Sequence, residues 1–176
     1  MPSLQKTPHT SLVDSIDSLQ SFIQELGSLL DHSSPRTLYL DLEGINLCRE
    51  GTLSILTLLA HDGVGLNKLY LIDIKTLGSS AFTTAAPSPS PSSPDSQWTL
   101  KKKLESPNIH IMFFDVRNDI DALYAHFGIR MHSVMDLQLM KNASRPTNKR
   151  GKRLLHGLAK CVEGVSSLSE DEKKRG

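Results

Sequence analysis

Asp41 and Glu43 are two carboxylates, two residues apart, closing the apolar run Leu38-Tyr39-Leu40, with Gly44 directly after them. Alternate side chains on a strand share a face, so these acids point one way and Leu42 the other. Like charges held side by side at the edge of a core repel each other and lose hydration. A cation between them relieves that cost, and carboxylate oxygens are the hard ligands that Mg²⁺ or Mn²⁺ takes. The plainer reading is that the strand ends here and both acids are solvated loop residues.

A second acidic cluster follows a second apolar run. Ile109 to Phe114 reads as a buried strand and leads into Asp115-Val116-Arg117-Asn118-Asp119-Ile120-Asp121. Ile120, Leu123 and Phe127 recur at helical spacing, and Gly128 is a natural stop. The spacing therefore predicts strand, short turn, acid-rich helix. Negative charge is favoured in the first turn of a helix, so capping accounts for some of Asp115, Asn118, Asp119 and Asp121. It does not account for a second carboxylate cluster placed after a second buried strand.

These two segments resemble the DEDD superfamily of 3′–5′ exonucleases, and within it the ribonuclease D-like branch with its fungal-type exonuclease-domain proteins. The resemblance runs from about Val13 to about Val162. The family's first motif maps onto Asp41 and Glu43. Its second maps onto Asp119, four residues before Leu123 and nine before Gly128, with Asp121 as the alternative in a shifted register. Gly51 to Leu58 fits the family's second strand, and Val134-Met135-Asp136 its fifth, where the acid supports the fold. The third motif, Tyr-x-x-x-Asp or His-x-x-x-x-Asp on a late helix, has no counterpart. No tyrosine follows Asp136, Cys161 stands five residues after His156, and the one later aspartate is Asp171 in a polar tail. The expectation is a family member cut short, its last catalytic helix missing.

The resemblance implies a ribonuclease H-like α/β fold: an antiparallel three-strand meander, then parallel strands, with flanking helices. It implies two divalent ions, Mg²⁺ or Mn²⁺, held about 3.5–4 Å apart over the scissile phosphate. Asp41 would bridge both, Glu43 would hold one and orient the water, and Asp119 would hold the other. The implied reaction removes nucleotides one at a time from the 3′ end of a single-stranded RNA or DNA. A pseudo-exonuclease that grips nucleic acid without cutting is the alternative, and a face bared by the missing helix would suit a protein partner.

The rest of the chain must position these acids. Its 176 residues suit one domain with a real core. A net charge of +1 announces no global field for nucleic acid, leaving that task to local Lys and Arg. Cys48 and Cys161 lack metal-ligand spacing and read as free thiols in a reducing compartment. The N-terminus has no apolar signal core and no stretch is long enough to span a bilayer, so an intracellular protein of nucleus or cytoplasm is expected.

Residues 1–11 read as a loose tail and residues 12–163 as the exonuclease-like domain. Within it, residues 12–30 suggest an amphipathic helix capped by Ser11 or Asp14. Strands are expected near 36–42, 52–60 and 68–73, a short helix within Thr76–Ala85, and another over Trp98–Leu104. Residues 86–96 alternate Pro and Ser and read as a disordered loop, and residues 164–176 as a polar tail. Residues 141–153 hold Lys149, Arg150, Lys152 and Arg153 among other cations, either a solvated loop or a phosphate-contacting one. A short amphipathic helix is expected over Leu154–Val162.

Overall fold

The apolar periodicity becomes a mixed sheet covered on one face by helices. The computed structural model describes residues 9–32, 35–61, 67–85, 98–145 and 155–163. Strands are β1 (His9–Val13), β2 (Thr37–Glu43), β3 (Ile55–His61), β4 (Asn67–Asp73), β5 (His110–Phe113) and β6 (Val134–Asp136). Helices are α1 (Ile16–His32), α2 (Ile74–Leu77), α3 (Ser80–Thr83), α4 (Leu100–Leu104), α5 (Arg117–Phe127), α6 (Leu137–Ser144) and α7 (Leu158–Glu163). The strand order is β1-β4-β3-β2-β5-β6. The meander β2-β3-β4 is antiparallel, and β5 and β6 extend it in parallel beyond β2, the expected ribonuclease H-like arrangement.

Register sorts the side chains. Leu38, Leu40 and Leu42 lie opposite Ala60, Leu58 and Leu56, and these in turn meet the buried Tyr70 and Ile72 of β4. Leu19, Phe22, Ile23, Leu26 and Leu30, one stripe of α1, are buried in the same core with Leu100, Leu104, Phe113 and Leu123. Glu25 ties that helix to β4 by accepting from the Tyr70 hydroxyl at 2.6 Å and from the Lys68 ammonium. Burial opposes the charge on Glu25, but those two donors outweigh it and hold the carboxyl below its ordinary range.

The opposite face is open. Leu12, Tyr39 and Ile55 are 60%, 40% and 40% exposed there, and a cleft of about 380 Å³ runs between Leu12, Ile55 and Leu71. This is the apolar surface that the sequence leads one to expect beside the acids. Glu43 lies opposite Ile55, and Asp41 opposite Thr57, on that same face.

Three local readings change. His9–Val13 is a strand paired in parallel with β4, so residues 9–11 leave the tail and Val13 leaves the helix. Its pairing partner lies some 60 residues away in sequence, which no local pattern can reveal. The cap of α1 is Ser15, which exchanges hydrogen bonds with Ser18, in place of Ser11 or Asp14. Lys141 sits on the helix α6, where a loop was expected. The expected loop at 86–96, the tail 164–176 and the cations Lys149, Arg150, Lys152 and Arg153 lie outside the described residues.

Asp136 starts α6 and anchors the second acidic segment. Its carboxylate accepts from the backbone N–H groups of Gln138 and Leu139 at 2.8 and 3.3 Å. It also accepts from Asp115 and Val116 at 3.2 and 3.4 Å, the turn that launches α5. Asp115 holds a left-handed φ of 63° in that turn. Asp136→Ala removes a helix cap and strands the turn donors. We expect a loss of about 2 kcal/mol, seen as a lower urea midpoint with unchanged slope.

Candidate metal centre

β5 pairs with β2 only as far as Tyr39, whereas β2 runs on to Glu43. The first turn of α5 takes the place beside that unpaired half. It carries Asp119 against the Leu42 backbone and into the field of Asp41. Ala122 and Leu123 are buried on the same helix, so packing of its apolar stripe holds the acid in place.

Asp119 is 7% exposed. Burial raises its pKa to about 6, and the charges of Asp41 and Asp115 push in the same direction. The Asp119 and Leu42 backbone N–H groups favour the ionised form but do not overcome burial. Asp41 and Glu43 stand on exposed positions of β2. Among the described residues no cationic side chain pairs with Asp41, Glu43 or Asp119.

The neighbouring acids are otherwise engaged. Arg117 chelates Asp115 through hydrogen bonds of 2.7 and 2.8 Å. Asp121, the alternative ligand of the shifted register, is taken up by the turn that follows β2. Arg49 grips it, donating from Nε at 3.1 Å, from Nη2 at 2.6 Å and from its backbone N–H at 2.9 Å. Those donors hold the Asp121 carboxyl below its ordinary range. Residues two apart on a helix point in nearly opposite directions, so Asp119 and Asp121 cannot both face the sheet. Arg49 carries no signal in the sequence that links it to this helix; its partner is 72 residues away.

Three acids without a cationic partner among the described residues, one of them buried with a raised pKa, fit a hard divalent ion in donor chemistry. Among the described residues no three His, Cys, Asp or Glu side chains are gathered tightly enough to hold a metal as they stand. The close couple is Asp41 with Asp119, and Glu43 extends it along β2.

The sheet thus sets paired acids at the end of β2 beside an acid at the start of the helix after β5. The sequence matches the 3′–5′ exonuclease family over residues 10–175, and the chain belongs to that family. Solved structures share its fold. RNase D from Trypanosoma brucei, in complex with RNA U12, is similar with a TM-score of 0.65 at 22% identity, covering 93% of this chain and 48% of that one. The catalytic core of Rrp6 from the same organism gives 0.61 at 17%, covering 99% and 40%. RNase D from Escherichia coli, an exoribonuclease involved in structured RNA processing, gives 0.58 at 20%, covering 96% and 36%. This chain therefore spans half or less of the length of these proteins. No curated protein matches it by sequence.

The raised pKa of Asp119 has a signed consequence for stability. Between its unfolded pKa near 4 and its native value near 6, the folded chain holds a proton that the unfolded chain has released. Stability therefore falls as pH rises through that window, and the cost is full above it, up to about 3 kcal/mol. Asp119→Asn keeps the shape and removes the charge. In chelator at pH 7.5 it should be more stable than the parent by about 2 kcal/mol, and the gain should fade by pH 4. Urea unfolding at the two pH values measures both.

Proposed function

We propose that this protein hydrolyses single-stranded nucleic acid from the 3′ end, one nucleotide at a time, with RNA as the favoured substrate and Asp41, Glu43 and Asp119 as the metal-holding residues. The observation that carries the reading is the buried Asp119 brought beside Asp41 with no cation among the described residues to compensate either. Family membership supports the reaction class, and the RNA-bound state of the T. brucei RNase D supports the choice of RNA.

Divalent Mg²⁺ or Mn²⁺, when bound, supplies Lewis-acid stabilisation and a more acidic water. The protein's own contribution is placement. Asp41 pairs with Thr57 of β3, and the backbone of the next residue, Leu42, donates to Asp119. Glu43 continues the same face by one step of the strand pleat. Ionised Asp119 is a ligand, whereas protonated Asp119 is not, so occupancy of the site should fall below pH 6. Water attacks the terminal phosphodiester, the bond to the leaving 3′ oxygen breaks, and that oxygen takes a proton as a nucleoside 5′-monophosphate departs. Lys149, Arg150, Lys152 and Arg153 are proposed to steer the phosphate backbone through unspecific charge. No described helix is long and apolar enough to cross a membrane.

A 3′-to-5′ ladder is expected from a 5′-labelled RNA oligonucleotide in Mn²⁺. Asp41→Ala should abolish it by on the order of a thousandfold, about 4 kcal/mol of transition-state stabilisation. The same variant should lose the Mn²⁺-induced rise in thermal midpoint. Oligonucleotide binding by the parent with no shortened products would instead identify a non-cutting, nucleic-acid-binding module.

A further inference from the structure

We propose that Arg49 and Asp121 form a positioning latch that sets the distance between the two halves of the metal centre. The inference rests on the functional reading above and adds residues that touch neither metal nor substrate. Glu43 ends β2 and runs directly into the turn 44–51, and Arg49 stands near the end of that turn. Asp121 stands two residues after Asp119 on α5. The three hydrogen bonds between Arg49 and Asp121 therefore join the segment carrying Asp41 and Glu43 to the helix carrying Asp119. A second tie lies one turn further along the same helix. His126 donates from Nε2 to the Cys48 carbonyl at 3.0 Å, since a carbonyl can only accept.

The turn is stiff enough to transmit such a constraint. Thr52 donates to the Ile45 carbonyl at 2.9 Å and Ser54 to the Glu43 carbonyl at 2.8 Å. A Cβ on Gly44 would stand 1.8 Å from the Thr52 carbonyl oxygen, and one on Gly51 would stand 1.9 Å from that of Asn46. Only glycine permits backbone packing this close.

The forces have opposite signs across one helical turn. Asp41 repels Asp119, which pushes the start of α5 away from β2. Arg49 attracts Asp121 and ties the same helix to the turn that continues β2, which opposes that push. The Arg49 side chain is 68% exposed, and exposed pairs contribute little to global stability. Removing the pair should therefore loosen the geometry of the metal centre while leaving the fold nearly as stable. That separation makes the role testable.

The experiment compares the full chain with Arg49→Ala, Asp121→Asn and the double variant. Mn²⁺ binding is followed by electron paramagnetic resonance, RNA shortening as a function of Mn²⁺ concentration, and thermal midpoint in chelator. The latch predicts that each single variant loses about 10- to 100-fold in Mn²⁺ affinity and in rate at limiting Mn²⁺, with the midpoint in chelator moved by no more than about 2 °C. The double variant should be no worse than either single, because one interaction is lost in all three. Variants that bind Mn²⁺ and cut within twofold of the parent overturn the latch. So does an Asp121→Asn loss that Arg49→Ala does not share, which would make Asp121 a ligand. A loss matched by an equal loss of folded protein also overturns it. A parent that neither binds Mn²⁺ nor cuts is a separate result, which removes the functional reading and the latch with it.

Discussion

Asp41 and Asp119 carry the same charge, and the fold presses them together with one of them buried. Desolvation alone works against a carboxylate at Asp119, and the neighbouring charge adds to it. Packing overrides both, because Ala122 and Leu123 on the same helix have no better place than the core. The structure thus stores an electrostatic cost that a divalent cation is well suited to offset. Much of the surrounding architecture can be read as what is needed to hold that arrangement.

The sheet does most of the holding. Parallel pairing of β5 with β2 stops short, which leaves half of β2 free to be met by α5. Asp136 pins the turn between β5 and α5 by accepting from four backbone donors, two on each side of the crossover. Arg117 and Arg49 then occupy Asp115 and Asp121. The acids of this region thus have different partners: Asp115 and Asp121 meet arginines, Asp136 meets backbone donors, and none of the described cations neutralises Asp119. The same fold recurs at 17–22% identity in RNase D and Rrp6. That is reasonable for a framework defined by alternation of apolar residues, since many side chains of similar volume satisfy it.

The open side of the sheet is the other consequence of the topology. The helices containing Leu19, Leu100 and Leu123 all pack their buried residues into one core. Asp41 and Glu43 therefore lie on the face where Tyr39 and Ile55 remain solvent-accessible. Acids and apolar side chains share that surface because register gives strict alternation along β2 and places Ile55 directly across from Glu43.

Local order was legible in the residues themselves. Alternation at Leu38, Leu40 and Leu42 defined β2 and put Asp41 and Glu43 on one face. The spacing of Leu123 and Phe127, ended by Gly128 at a φ of 62°, defined α5. What pairs with what was not legible. His9–Val13 looks like the approach to a helix, and only β4 makes it a strand. Asp119 rather than Asp121 is buried because Ala122 and Leu123 pack into the core beside it, while Asp121 meets Arg49, remote in sequence and exposed in space. Hydrophobic periodicity is a property of a short window, so a chain can announce its elements. Charge pairing and burial depend on which windows meet, and that is settled only when the sheet closes its register.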